Sequence, residues 1–494
     1  MRSIRIGGGA GYGGDRIEPA LDLIRHGALD YIIFECLAER TIALAQQQKM
    51  RDPEKGYNEF LKYRMERILP LLKEQQKAGQ PIVKIVTNMG AANPVSALRM
   101  VKSMAEKEGL SQLKISAVTG DNVMGAVDTY GDHIVLETGQ PLRSLEDRII
   151  SANAYIGAEG IVRALKQGAD IIITGRVADP ALTLGPLIYE FGWSMTDYHQ
   201  LGRGTVAGHL LECGAQVCGG YFADPPYKEV PTLWNVGFPI AEIREDGKAK
   251  ISKLPQAGGM VTKDTVAEQL IYEIHDPSRY YTPDVTADFS GIWLEEEDKD
   301  CIAVCGASGI KHNGQYKVSV GYRDGFIGEG EISYGGSGCC ERAKLAGEII
   351  RHRLTPYAKE IQECRIDIIG VNSLYGGGEG LADVESVVDN ASDNMLARDV
   401  MDAETAKEAD SFTMCGAEAV GECRLRVAIR SNQRCIARLV GDEVEALYTN
   451  GPAGGGGARK YIREIVSVAS IFIPKDGVNI RVVSGDDVRE EECR

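Results

Sequence analysis

The segment Gly208-His209-Leu210-Leu211-Glu212-Cys213-Gly214 carries an imidazole, a carboxylate and a thiol. It reads as a helix running into a glycine-rich turn, and spacings of three and four residues put His209, Glu212 and Cys213 on one face. Proton transfer needs such groups beside a ligand, so the trio are general acid/base candidates. A structural histidine with a capping glutamate is the alternative. A second group, Thr174-Gly175-Arg176-Val177-Ala178-Asp179, places a guanidinium and a carboxylate on one strand exit. Arginine clamps carboxylates bidentately, so Arg176 is expected to face the main pocket with its guanidinium available to an anion. Otherwise Arg176 and Asp179 pair with neighbours on the rim.

The stretch Gly7 to Arg16 follows a strand and opens a helix, so its backbone N–H groups and the helix dipole suit a phosphate or carboxylate. Read from Gly8, the dinucleotide spacing G-x-G-x-x-G meets Ala10 where it needs glycine, and no loop has the P-loop spacing. A tight turn is the alternative. Glu35 lies about 20 residues on, where a dinucleotide-binding fold places an acidic residue. Cys339 and Cys340 follow a glycine-rich turn at an expected helix N-terminus, which suits a nucleophile; small buried cysteines are the plainer reading. Gly258-Gly259 and Gly454 to Gly457 are anion contacts or helix entries.

These residues need a frame. Four times an amphipathic stretch ends in glycine and turns into an apolar strand: Gly27 before Tyr31 to Phe34, Gly79 before Ile82 to Val86, Gly109 before Leu113 to Ile115, and Gly168 before Ile171 to Ile173. Helix, glycine and buried strand in succession are the signature of parallel βα units. Strands at Ile4, Ile32, Val83, Ile115 and Ile172 should therefore lie parallel, with their exits on one rim where ligands bind. The exits supply Gly9, Gly11, Asp15 and Arg16, then Glu35, then Asn88 and Gly90, then Asp121, then Gly175, Arg176 and Asp179. After Asp224-Pro225-Pro226 the pattern becomes strand-like stretches with polar turns. The expected fold class is α/β: an N-terminal parallel sheet of βα units with ligand loops at the strand C-termini over 1–228, followed by a mixed α+β domain over 229–494.

The bulk properties exclude several classes. A net charge of −16 without a clustered basic stripe argues against nucleic acid. No run of about 18 apolar residues exists to span a bilayer, and the first residues lead into a strand rather than a signal-peptide core, so a cytoplasmic protein is expected. The 12 cysteines include the vicinal pair Cys339-Cys340 and strand members, which is the usage of reduced thiols. Spacings such as Cys213 to Cys218, Cys301 to Cys305 and Cys415 to Cys423 match no metal signature, and no metal is expected.

Four motifs occur together and in order: Thr87-Asn88-Met89-Gly90, Gly175-Arg176-Val177-Ala178-Asp179, His209-Leu210-Leu211-Glu212-Cys213-Gly214 and Gly219-Gly220-Tyr221-Phe222-Ala223-Asp224. With them the chain resembles the acyclic terpene utilisation protein A family, most strongly from Arg5 to Asp224 and on through Gly258-Gly259-Met260-Val261. The resemblance implies a place in citronellol and geraniol catabolism rather than a particular reaction. Longer members carry a further small C-terminal domain that elsewhere is a separate protein, which implies a small partner subunit here.

Rim carboxylates, two arginines and no evident redox or metal motif favour proton chemistry. The expected function is an enzyme of carboxylic-acid or acyl-CoA catabolism, a lyase, hydratase or isomerase. Arg16 and Arg176 would anchor the substrate, Asp121 or Glu212 would remove the proton, and His209 would serve the hydroxyl. No cofactor is evident, coenzyme A entering only as part of a substrate. A homo-oligomer is expected. The alternatives are a nucleotide-dependent oxidoreductase and a non-catalytic scaffold or ligand-sensing subunit of a catabolic complex.

Overall fold

Runs such as Tyr31-Ile32-Ile33-Phe34 and Ile171-Ile172-Ile173 have no polar face, so strands made from them must be covered on both sides. The computed structural model, which describes residues 2–374 and 420–487, covers them that way. The leading strands are β1 (Ser3–Gly8), β2 (Tyr31–Phe34), β3 (Lys84–Thr87) and β4 (Ile115–Thr119). The next strand, β5 (Ile149–Ala154), leaves this sheet, and β6 (Ile171–Thr174) returns to it between β3 and β4. All four ladders among β1, β2, β3, β6 and β4 are parallel, with Gly7 opposite Ile32, Ile32 opposite Ile85, and Ile171 opposite both Ile85 and Ile115. The five strands thus pair as the glycine joints predict.

Alternate residues of these strands enter two cores. Ile32, Phe34, Ile85 and Ile171 meet the helices α1 (Glu18–His26), α3 (Phe60–Lys77) and α4 (Pro94–Lys107). Tyr31, Ile33, Val86 and Ile172 meet α5 (Glu159–Lys166), α6 (Ala181–Phe191) and α7 (Tyr198–Glu212) on the opposite face. Between them in sequence, α2 (Glu39–Arg51) packs Ile42 and Ala45 with Leu37. The sheet is open rather than a barrel. Beyond β1 it adds β7 (Pro239–Arg244) and β8 (Ala249–Lys253), antiparallel, and the chain then enters α8 (Lys263–Ile271).

A small antiparallel sheet follows, made of β9 (Tyr280–Tyr281), β10 (Thr286–Asp288) and β13 (Ser308–Ile310). Between β10 and β13 the chain returns to the large sheet as β11 (Trp293–Asp298) and β12 (Cys301–Cys305). The first part of β14 (Gln315–Gly335) pairs antiparallel with β5, Val318 opposite Ala154.

The boundary expected between 228 and 229 is not where the chain divides. One compact unit comprises Met1–Tyr322 with Val468–Arg494, and the other Arg323–Ser467. The physical reason is that β7 and β8 hydrogen-bond onto β1, so the change of pattern after Asp224 marks a change of strand direction within one sheet.

The second unit contains the later part of β14, then α9 (Cys339–Leu354), β15 (Glu363–Ile369), β16 (Glu422–Ser431), α10 (Arg434–Asn450) and the first part of β17 (Gly455–Pro474). Its strands lie in the order β15-β16-β14-β17, which with the β-α-β-β-α-β succession is the split βαβ arrangement. Ile332, Leu425 and Val427 of the sheet pack on Ala343, Ile350, Val440 and Val444 of the two helices. The last strand, β18 (Arg481–Ser484), pairs antiparallel with β4 in the first unit. Among the described residues no helix is long and apolar enough to cross a membrane.

Candidate active site

The exits of β1, β2 and β6 and the end of α7 surround a cavity of about 820 Å³ in the first unit. Gly11, Asp15, Glu35, Arg176, Asp179, His209 and Glu212 line it, together with Cys213. Two glycines make the assembly possible. A Cβ on Gly208 would stand 2.8 Å from the Pro180 Cα, so α7 can lie against the start of α6 only without one. A Cβ on Gly11 would stand 2.4 Å from the Cys213 carbonyl carbon, so the first loop can be laid on the end of α7.

His209 and Glu212 are both buried at this end of α7. His209 Nε2 is 2.8 Å from the Gln269 carbonyl oxygen, which can only accept, so Nε2 carries a hydrogen. Nδ1 lies 2.8 Å from Glu212 Oε1. One further proton is therefore shared between imidazole and carboxyl. Burial pushes the Glu212 carboxyl up to about 7, with Asp179 and Glu273 adding to the push and His209 opposing it. For His209 burial acts downward, but Glu212 and the Gln269 carbonyl outweigh it and raise the pKa. Glu212 Oε2 is buried without a hydrogen-bond partner. With both ring nitrogens engaged, His209 holds and polarises Glu212, and the free oxygen belongs to the carboxylate.

Glu35 ends β2. Its Oε1 accepts from Leu37 N at 2.9 Å and from Asn88 Nδ2 at 3.0 Å. Burial and then the Asp179 charge push this carboxyl up to about 8, against Arg176 and the two donors. Because Oε1 already accepts twice, the proton falls to Oε2. Asn88 itself lies behind Glu35 rather than in the cavity wall, its Oδ1 accepting from Cys36 N at 2.8 Å.

Arg176 reaches the cavity but is not available as expected. Its guanidinium is buried and donates to the Val177 and Leu37 carbonyls and to Asp179. It also lies over the Tyr155 ring, 4.4 Å from the centroid. Burial raises the Asp179 pKa although Arg176 opposes the rise.

The other predicted residues lie elsewhere. Asp121 is buried under the β6 exit, where Oδ2 accepts from Asn153 Nδ2 at 2.8 Å and from Arg176 N at 3.0 Å. It braces the loop instead of facing the cavity. Gly175 packs on that carboxylate, Gly90 on the Thr174 carbonyl, and Gly9 on the Phe34 ring. Arg16 lines a separate groove of about 130 Å³ and donates to the Trp234 carbonyl at 3.4 Å.

The first loop is also closed on itself. Asp15 accepts from Gly11 N at 2.9 Å and from Arg16 N at 2.8 Å, so an internal carboxylate takes the place expected for a bound anion. Read from Gly9, the dinucleotide spacing is complete at Gly11 and Gly14, yet α1 opens only at Glu18. Cys213 lines the cavity, but burial, then Glu212, pushes its thiol up, away from the thiolate.

Sequence reasoning missed Glu39, Tyr155 and Lys317. Lys317 Nζ is 3.2 Å from Glu39 Oε1 and 5.2 Å from the Tyr155 ring centroid, so Tyr155 lies near two cations. Against the upward push of burial, the Tyr155 hydroxyl and Lys317 hold Glu39 down to about 2. Glu39 could have been found one helical entry past Glu35. Lys317 could not, because only the β5–β14 pairing brings it here.

Fold and site together define an α/β protein with a carboxyl-rich cavity on the carboxyl rim of an open, doubly wound sheet. The chain belongs to the acyclic terpene utilisation family, AtuA, whose family model matches residues 4–484. No curated protein and no solved structure matches it.

Proposed function

We propose that the chain is an enzyme of carboxylic-acid or acyl-CoA catabolism, a hydratase, lyase or isomerase that moves a proton next to a thioester or carboxylate. The observation that carries this reading is the buried, unpartnered Oε2 of Glu212, a residue that lines the cavity. A pKa of about 7 suits a general base near neutral pH. Glu35, at about 8, is a carboxylic acid under the same conditions. Two carboxyls set apart by their surroundings divide the roles of base and acid.

In the hydro-lyase direction Glu212 accepts the proton from the carbon beside the carbonyl. The C–H electron pair becomes the new double bond, the C–O bond breaks, and the Glu35 proton leaves with the hydroxyl as water. His209 positions Glu212 and shares its proton. In an isomerase the same proton returns to another carbon. Leu37, Ala38, Val236, Tyr280 and Phe472 offer a hydrocarbon wall. Arg176 is bound to Asp179 and Lys317 to Glu39, which favours an uncharged thioester over a free carboxylate at the reacting end.

The test supplies the purified chain, with and without a small partner subunit, with branched unsaturated acids and their CoA esters in deuterated water. Deuterium incorporation should fall roughly 10²- to 10⁴-fold in Glu212→Gln, and little in Cys213→Ser. Undiminished exchange in Glu212→Gln would reassign that residue to structure. Ligand binding without exchange on any substrate would make the chain a sensing or scaffold subunit.

A further inference from the structure

In the second unit, α9 begins with two cysteines after Gly338, whose φ of 70° turns the chain sharply into the helix. Cys339 and Cys340 are both buried, with their sulfurs 4.0 Å apart. Cys423 enters from β16, also buried, opposite Tyr334 of β14. The three sulfurs lie within 4.8 Å of one another. Among the described residues this is the one group of three such ligand atoms. No disulfide joins them.

Three sulfurs each about 2.3 Å from one ion in a plane would stand about 4.0 Å apart, so the cluster is close to ligating geometry as it stands. The positive end of α9 favours thiolate at its first turn. The three cysteines belong to the same apolar core as Ala343, Ile368 and Leu425. Zinc takes four ligands, whereas among the described residues the group has three ligand atoms, all sulfur. Monovalent copper is soft, prefers thiolates and is satisfied by three. We propose that Cys339, Cys340 and Cys423 form a three-thiolate site for one monovalent copper ion.

Binding forms three copper–sulfur bonds and releases the three thiol protons, with no electron transferred. The Cys339 thiol, which now lies 3.3 Å from the Val420 carbonyl oxygen, gives up that hydrogen bond. Because three protons are released for each ion bound, loading should weaken as pH falls.

The full chain, fully reduced and free of oxygen, is titrated with cuprous ion as its acetonitrile complex in competition with a copper(I) chelator. One ion per chain should resist the chelator, and its X-ray absorption should show three sulfur neighbours and no lighter ones. Cys423→Ser and Cys340→Ser should each weaken binding by more than the roughly 10- to 100-fold that loss of an outer partner costs. Cys435→Ser, which alters an exposed cysteine, should leave it unchanged. Equal retention in both cluster variants, or a fourth oxygen ligand, overturns the site. So does copper-free oxidation to a disulfide without any tight copper binding. Should the variants fail to fold, the absorption spectrum of the parent chain decides alone.

Discussion

The carboxylate of Asp121 occupies the space that a side chain at Gly175 would need: an added Cβ would stand 2.5 Å from Oδ1. That carboxylate also holds Asn153 and the Arg176 backbone, so it cannot yield without breaking bonds to both. Gly175→Ala should destabilise the fold by about 1–3 kcal/mol, the cost of overpacking a filled site. Urea unfolding measures it. An unchanged midpoint would show that the Asp121 carboxylate moves freely.

Arg176 gives a prediction opposite to the one its sequence invites. A rim arginine that clamps substrate should be dispensable for folding, whereas this one ties the Leu37 and Val177 carbonyls and Asp179 together from a buried position. Removing the guanidinium leaves two carbonyls and the partly exposed Asp179 carboxylate without their donor. Arg176→Ala should cost about 2–4 kcal/mol, the range for stranding buried carbonyl acceptors, and lower the melting temperature. Calorimetry of the variant checks this, and a normal melting temperature would return Arg176 to the role of a free anion clamp.

What was legible in the sequence follows from range. Tyr31 to Phe34 and Ile171 to Ile173 announce buried parallel strands because apolar runs bounded by glycine joints are local signals. The end of α7 is local too, which is why His209 and Glu212 are found on one face. Lys317 and Tyr155 meet only through β5 and β14, and Cys423 reaches Cys340 only through the second sheet. Such pairings leave no spacing to read. Asp121 shows a subtler limit: a carboxylate on a strand exit looks the same whether it faces a ligand or braces the next loop.

In the proposed mechanism His209 acts on Glu212 rather than on substrate, and a pH profile can tell the two apart. Its imidazole opposes the rise of the Glu212 pKa, so taking it away should let that pKa climb above about 7. In His209→Gln the acidic limb of kcat/KM against pH should therefore move to higher pH, while the plateau rate falls far less than in Glu212→Gln. A limb that stays in place would mean that the two groups do not share a proton.

Glu35 ties the candidate chemistry to stability. Its carboxyl titrates at about 8 in the folded chain, raised chiefly by burial, against an ordinary value of about 4.3 when unfolded. Below the lower value both states hold the proton and the group costs nothing. As pH rises between the two values the unfolded chain gives up its proton while the folded chain keeps it, so stability falls until the folded carboxyl also ionises. Glu35→Gln cannot titrate and should be spared this loss. Relative to the parent it should gain on the order of 2–4 kcal/mol between pH 4.5 and pH 8.5 in urea unfolding. If the proposed mechanism holds, the same variant should lose dehydration while keeping deuterium exchange at the carbon assigned to Glu212, because only the acid has been removed. Parallel stability curves for the two proteins would mean that Glu35 is ionised in the folded state, and its role as the acid would fall with them.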